Sequence, residues 1–83
     1  MEFILYWLVS NDFKYTYIGF TDNIKRRIIE HQRGKVKTTK SFNGFRCFVI
    51  EKVITIQETR KREKYWKSAA GRKKLKEYFN KIK

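Results

Sequence analysis

The stretch FILYWLVSNDFKYTYIGF, residues 3–20, decides the fold of this chain. Residues 3–9 are apolar or aromatic throughout, which is typical of a strand buried on both faces. Ser10-Asn11-Asp12 supplies turn chemistry, and residues 15–20 have the composition of a partner strand. The sequence therefore predicts a β-hairpin with Tyr6 on one strand and Tyr17 on the other.

A helix is predicted directly after the hairpin. Thr21 or Asp22 can cap its beginning, and Gly34 ends it after a basic last turn. Within this helix Arg27 and His31 are four residues apart. Side chains at that spacing lie one above the other, so both are expected on the same face of the helix.

The second half of the chain predicts a third strand over residues 45–53 and two more helices. Thr55-Ile56-Gln57-Glu58 has the form of a capping box, which begins the second helix. We expect Ala69-Ala70-Gly71 to break that helix and a third to run from about residue 72 to 82. The predicted fold class is α/β, a small three-stranded sheet with flanking helices in the order β-β-α-β-α-α, forming a single domain over residues 1–83.

The net charge of the chain indicates which class of partner it binds. The 83 residues include 21 Lys and Arg against 8 Asp and Glu, a formal net charge of +13. Such a charge attracts polyanions, and nucleic acid is favoured over an anionic membrane because the basic residues are spread over every element. No apolar run is long enough to span a bilayer and the N-terminus lacks the features of a signal peptide, so a cytoplasmic location is expected.

One carboxylate lies on a stripe that is otherwise largely apolar. Residues at spacings of three and four on the predicted second helix form this stripe: Ile56, Thr59, Glu63, Trp66 and Ala70. A charged group facing the core is costly unless it is paired or coordinates a metal. Two interpretations stay open at this point: an ion pair with a nearby cation such as Arg60 or Lys67, or a hard divalent cation held by Glu63 together with substrate phosphate and water.

The remaining polar residues are individually weak indicators. Tyrosine is common in strands, so Tyr6 and Tyr17 also fit ordinary strand positions. Arg27 and His31 also fit a solvated helix surface. Together with Glu63 they form a set that can surround a phosphate with donors, a base and a metal ligand.

The predicted loop over residues 34–44 is cationic and rich in hydroxyl groups. Lys35, Lys37, Lys40 and Ser41 are suited to the phosphates of a nucleic-acid backbone, which fix the position of a protein without specifying a base sequence. A solvated loop with no ligand is the alternative.

These motifs, taken in combination, resemble the GIY-YIG nuclease family, in particular its small stand-alone members related to the nuclease module of the UvrC repair proteins. The resemblance extends from Phe3 to about Tyr78. It rests on Ile4-Leu5-Tyr6, on Tyr17-Ile18-Gly19 with its spacing to Arg27, and on the stretch from Arg62 to Arg72. Ile4-Leu5 replaces the glycine and isoleucine of the first motif and keeps its tyrosine.

The resemblance implies an endonuclease that hydrolyses DNA by in-line attack of water, with one Mg²⁺ or Mn²⁺ ion as cofactor and a role in DNA repair or processing. Glu63 would be the metal ligand, Arg27 the residue that neutralises charge on the phosphate, and Tyr6 the base, assisted by Tyr17, with His31 beside them. We expect the surrounding cations to lower the pKa of Tyr6 and so favour its phenolate.

Two other function classes remain open from the sequence. One is a basic nucleic-acid-binding module that has the same fold and no catalytic activity. The other is an interaction domain for an acidic protein. The form of the DNA is equally open, with branched, damaged and single-stranded substrates as the alternatives.

Overall fold

In the computed structural model, residues 2–12, 15–36, 39, 42 and 44–82 are described. The elements are β1 (Phe3–Ser10), β2 (Thr16–Thr21), α1 (Ile24–Gln32), β3 (Phe45–Val53), α2 (Ile56–Lys67) and α3 (Ala69–Ile82). This is the predicted α/β fold with the predicted order of elements. None of the helices in these ranges is long and apolar enough to cross a membrane.

The sheet is antiparallel, with β1 at its centre in the order β2-β1-β3. In the hairpin register Tyr6 lies opposite Gly19, and Leu8 lies opposite Tyr17. The pairing of β1 with β3 has an irregularity between Leu5 and Tyr6. Residues 5–10 of β1 are all buried, which confirms the strand buried on both faces.

The two faces of the sheet differ in chemistry because alternate side chains of a strand point to opposite sides. On one face Trp7 and Val9 of β1 form a core with Ile18 and with Leu75 of α3. On the other face Tyr6 reaches polar side chains of α1. The apolar core and the polar cluster are therefore built on neighbouring residues of one strand.

Hydrogen bonds at both ends of α1 explain where the helix begins and ends. Asn23, not Thr21 or Asp22, is the N-cap, and its side-chain oxygen accepts a hydrogen bond from the Arg26 amide at 3.1 Å. At the other end Gly34 has φ of 73°, and the amides of Gly34 and Lys35 donate to the carbonyls of His31 and Glu30 at 3.1 and 3.0 Å. These two hydrogen bonds form a Schellman motif, so Gly34 ends the helix as predicted.

The break between the last two helices was predicted at the wrong residues. The chain is extended at Ser68, with φ of −75° and ψ of 169°, and residues 69–71 form the first turn of α3. Gly71 allows the two helices to approach closely. A Cβ there would lie 2.5 Å from the Cα of Trp66 and would overlap the Tyr65 carbonyl. The predicted start of α2 is confirmed, since the Thr55 side chain accepts from the Glu58 amide at 3.2 Å.

Candidate active site

The hydroxyl of Tyr6 is the centre of a buried polar cluster. Tyr6 has no exposed surface, and its oxygen lies 2.8 Å from Nε2 of His31. The Arg27 Nε donates to the same oxygen at 3.2 Å. Arg27 and His31 are one turn apart on α1, so one helix face supplies both groups to the strand. The spacing seen in the sequence thus brings these three residues together.

Thr39 completes the cluster, and sequence reasoning missed it. It is 2% exposed, and its hydroxyl lies 2.6 Å from Nδ1 of His31 and 3.4 Å from the carbonyl oxygen of Val36. If Thr39 donates to Val36, it accepts from Nδ1–H, which leaves Nε2 as the acceptor for the Tyr6 hydroxyl proton. We assign this tautomer because it gives every one of these groups a partner.

Tyr17 packs against the cluster from β2. Its ring centroid lies 6.1 Å from that of Tyr6 and 5.2 Å from that of His31. Gly19, two residues further along β2, leaves the space that both tyrosines need. A Cβ there would lie 2.8 Å from Cε1 of Tyr17 and 2.9 Å from the Tyr6 hydroxyl oxygen. The second motif therefore requires glycine at this position for steric reasons, which the sequence alone did not show.

The electrostatics of the cluster differ from our expectation for Tyr6. Burial raises the pKa of the Tyr6 phenol to about 12, although the hydrogen bond from Arg27 opposes the shift. Desolvation therefore outweighs the nearby cation, and Tyr6 is a neutral phenol near pH 7. Burial also lowers the pKa of His31, and the positive charge of Arg27 lowers it further. His31 is thus a neutral imidazole near pH 7, and its Nε2 accepts the hydrogen bond from the Tyr6 hydroxyl.

Arg27 connects the buried cluster to the surface. Its Nη1 donates to Glu30 at 3.1 Å, and its side chain is 31% exposed. The hydrogen bond to Tyr6 raises the pKa of Arg27 further above its already high value, against the effect of burial. Arg27 also lines a small open cavity next to Phe3 and Phe20. A permanent cation at an accessible cavity can receive a phosphate group.

Glu63 is held differently. It lies on α2, where its carboxylate is 3.5 Å from Nζ of Lys67, one turn further along, and its side chain is 25% exposed. Lys67 lines a cavity together with Tyr17, but Glu63 is not among the described residues that line it. The first interpretation of Glu63, an ion pair, therefore has a partner in the structure, which is Lys67. Within the described ranges no group of three or more Asp, Glu, His or Cys side chains could hold a metal by itself.

A second carboxylate, which contacts α2 from the sheet, was not predicted. Glu51 of β3 accepts hydrogen bonds from Nε of Arg62 at 3.0 Å and from Nε1 of Trp66 at 2.7 Å. Burial alone raises the pKa of Glu51, but the hydrogen bonds from Arg62 and Trp66 together leave it below its ordinary value. Glu51 is therefore an ionised structural partner that ties β3 to α2.

The predicted phosphate-binding loop is only partly described. Lys35 follows Gly34 directly and is exposed. Lys37, Lys40 and Ser41 lie outside the described residues.

The sequence model for the GIY-YIG catalytic domain matches residues 2–77, nearly the whole chain. The chain belongs to the GIY-YIG family. Membership confirms the resemblance drawn from the two tyrosine motifs, and GIY-YIG domains imply a nuclease-type function with DNA as the substrate. GIY-YIG nucleases generally depend on a divalent metal. No curated protein and no solved structure matches the chain.

Proposed function

We propose that this GIY-YIG domain is a metal-dependent endonuclease that hydrolyses DNA phosphodiester bonds by in-line attack of water. The observation that carries the proposal is the Tyr6 hydroxyl, which lies between a neutral imidazole at 2.8 Å and a guanidinium at 3.2 Å. A base, a proton acceptor behind it and a cation are the parts that such a hydrolysis requires.

Proton movement in this proposal starts at the water. Tyr6 takes the proton of the attacking water while its own proton passes to Nε2 of His31. The raised pKa of Tyr6, about 12, makes this transfer necessary, because very little phenolate exists near pH 7. Tyr17 restricts the Tyr6 ring from the side of β2. Two acceptors in series therefore replace the preformed phenolate that we expected from the sequence.

Arg27 is proposed to bind the phosphate that is cleaved. Its Nε donates to Tyr6 and its Nη1 donates to Glu30, so we propose Nη2 as the nitrogen that donates to a phosphate oxygen. A guanidinium at this place neutralises the charge that develops on the phosphoryl oxygens in the transition state. The hydrogen bond to Tyr6 also fixes the distance between the base and the phosphate.

Glu63 is the proposed ligand of one Mg²⁺ or Mn²⁺ ion. A single partly exposed carboxylate fits these ions, since Mg²⁺ is usually held by one or two carboxylates together with substrate phosphate and water. When bound, the ion supplies Lewis acidity at the phosphoryl oxygen and stabilises the leaving oxygen. Lys67 must release Glu63 for this to occur.

The wider context is proposed with the activity. A formal net charge of +13 favours DNA as the partner, and we place Lys35, Lys37, Lys40 and Ser41 on its backbone phosphates. We propose one domain over residues 1–83, a cytoplasmic location and a role in DNA repair or processing. A non-catalytic DNA-binding module is the second candidate, and the Glu63–Lys67 ion pair is the observation that favours it.

The test is cleavage of supercoiled DNA by purified protein in Mg²⁺, Mn²⁺ or chelator, with Glu63→Gln and Glu58→Gln compared. Both carboxylates lie on α2, and Glu58 is the exposed control near its start. We expect Glu63→Gln to abolish cleavage and to weaken Mn²⁺ binding measured by electron paramagnetic resonance, while DNA binding is kept. Wild-type cleavage by Glu63→Gln would remove the metal assignment, and an inactive wild type would favour the binding module.

A further inference from the structure

A cavity of about 590 Å³ opens on the apolar face of the sheet, between β2 and the helices α2 and α3. Its floor belongs to the apolar core, where Trp7, Ile18 and Leu75 are 5, 8 and 6% exposed. Phe79 of α3 lines it as well, and its ring meets that of Trp7 edge-on at 6.0 Å. The chemistry of this floor matches a large apolar side chain.

The cavity lies on the other side of the sheet from the candidate active site. Successive side chains of a strand point to opposite faces, so Tyr6 belongs to the polar cluster and Trp7 to the cavity. Ile18 is opposite Trp7 in the hairpin register and lies on the same face. A ligand in the cavity therefore leaves the Tyr6 hydroxyl and Arg27 open to DNA.

The rim of this cavity is cationic. Lys67 from the end of α2 and Arg72 and Lys76 from α3 line it, and all three are exposed. None of the lining residues is acidic. Lys67 is paired with Glu63, whereas Arg72 and Lys76 form no ion pair with any residue that the structure describes. Two cations at the least are therefore available to the carboxylates of a partner.

The arrangement of these cations indicates a chain that carries several carboxylates. Arg72 and Lys76 are one turn apart, about 6 Å along the axis of α3, and Lys67 belongs to the preceding helix. Acidic residues spaced along a peptide can pair with all three and place an apolar side chain between them. Duplex DNA also carries spaced anions, but its bases are stacked inside and it offers no apolar side chain to the floor.

We propose that this cavity docks a segment of a partner protein in which acidic residues flank a large apolar side chain. The apolar side chain occupies the floor, and the carboxylates pair with the rim. Insertion of apolar anchors into a groove is a common mode of peptide recognition. The volume lies in the range of about 300–1,000 Å³ that is usual for ligand sites. The inference goes beyond the proposed function and does not depend on cleavage.

The experiment uses a short synthetic peptide in which Asp and Glu flank one Phe. Nitrogen-15 NMR follows the indole N–H signals of the two tryptophans, of which Trp7 lines the cavity and Trp66 does not. We expect the Trp7 signal to shift and to saturate as the peptide is added. Replacing Phe by Ser in the peptide should weaken binding at least about tenfold, because burial of such a side chain contributes an effect of that order.

Two double variants of equal charge locate the site. Arg72→Glu with Lys76→Glu reverses the rim, and Arg60→Glu with Lys64→Glu reverses an exposed pair at the same spacing on α2 that does not line the cavity. At about 0.15 M salt, where distant charges are screened, we expect the first to weaken peptide binding at least about tenfold and the second no more than about twofold. Tyr6→Phe should bind the peptide like the wild type. Circular dichroism checks that all three fold.

Three results would overturn the inference. Equal affinity for the Phe and Ser peptides would mean that the floor holds nothing, and equal losses in the two double variants would mean that only the total charge is sensed. A single-stranded oligonucleotide of matched charge that shifts the Trp7 signal at lower concentration than the peptide would make nucleic acid the occupant. A protein that binds the peptide as expected but never cleaves DNA contradicts the proposed function alone.

Discussion

The Tyr6 cluster and Glu63 represent two ways of holding a polar group. Tyr6 is fully buried, and its partners come from an element 21 to 25 residues away in sequence. Glu63 keeps 25% of its side chain exposed and is paired with Lys67 four residues away on its own helix. Long-range hydrogen bonds depend on the whole fold, whereas an i,i+4 ion pair depends on the helix alone. The proposed base and the proposed phosphate-binding cation are therefore held by the whole fold, whereas the proposed metal ligand is held only by its own helix.

Removing a member of the buried cluster should have the largest effect. We expect Arg27→Ala to lower the rate of DNA cleavage by roughly a hundredfold or more, because it deletes the cation that we propose at the phosphate. Arg26→Ala is the matched control, since Arg26 is exposed on the same helix and pairs with Asp22. Initial cleavage rates at saturating DNA make the comparison. Equal losses in the two variants would show that cleavage depends on total charge and not on the cluster.

Tyr6→Phe should reduce the cleavage rate to a similar degree, since a base typically contributes about 10²–10⁴-fold. The phenyl ring keeps the packing against Tyr17 but leaves Nε2 of His31 without a partner. Thermal unfolding separates loss of activity from loss of fold. If the variant is folded and cleaves at the wild-type rate, Tyr6 is not the base.

A change behind the cluster should have an intermediate effect. We expect Thr39→Val to lower turnover by about tenfold, part of the usual contribution of proton transfer, because His31 loses the acceptor that keeps its proton on Nδ1. Thr39→Ser should restore most of the rate. Nitrogen-15 NMR of the imidazole reads the tautomer directly, and His31 is the chain's one histidine. An unchanged tautomer in Thr39→Val would contradict the assignment.

Acid should destabilise the protein through the same histidine. The pKa of His31 is lower in the folded protein than the ordinary value of about 6.5, because of burial and then of Arg27, with Glu30 opposing. The unfolded chain therefore binds the proton more readily, so the stabilisation is complete above about pH 6.5 and is lost as pH falls through the folded pKa. Tyr6 and Thr39 are the neutral groups that hydrogen-bond to the ring, and Tyr17 packs against it.

The measurement is the melting temperature between about pH 5 and 7.5, a range that brackets the ordinary histidine pKa. His31→Gln should flatten the decrease seen in the wild type over that range. A decrease of the same size in His31→Gln would assign it to carboxylates. Glu51 would not be among them, because its lowered pKa places the loss of its own contribution at more acidic pH.

The smallest effect is expected at the exposed pair. Lys67→Met should lower the free energy of unfolding by no more than about 0.5 kcal/mol, as for other i,i+4 ion pairs. The same change should strengthen Mn²⁺ binding at Glu63, because the competing cation is gone. Urea unfolding and a Mn²⁺ titration measure the two quantities. A large loss of stability would mean that Glu63 is held as firmly as Tyr6.

The sequence predicted the parts of this site that are carried by periodicity. The hairpin pattern placed Tyr6 and Tyr17 on neighbouring strands, and the spacing of four placed Arg27 and His31 on one helix face. Their proposed roles came from the resemblance to the GIY-YIG family. Thr39 could not be found in this way, because it lies in a loop that has no period. The pKa of Tyr6 was predicted in the wrong direction, because a sequence records nearby cations but not the depth of burial.

The contacts of Glu51 have a consequence for the rotation of α2 about its own axis. Arg62 and Trp66 are one turn apart, and both bind the one carboxylate on β3. Successive helical residues are turned by about 100°, so fixing these two also fixes the direction in which residue 63 leaves the helix. Glu51 thus restricts the rotation of α2, because the helix cannot turn about its axis without breaking hydrogen bonds from two side chains. The direction of the Glu63 side chain is therefore set by a residue on the opposite edge strand of the sheet.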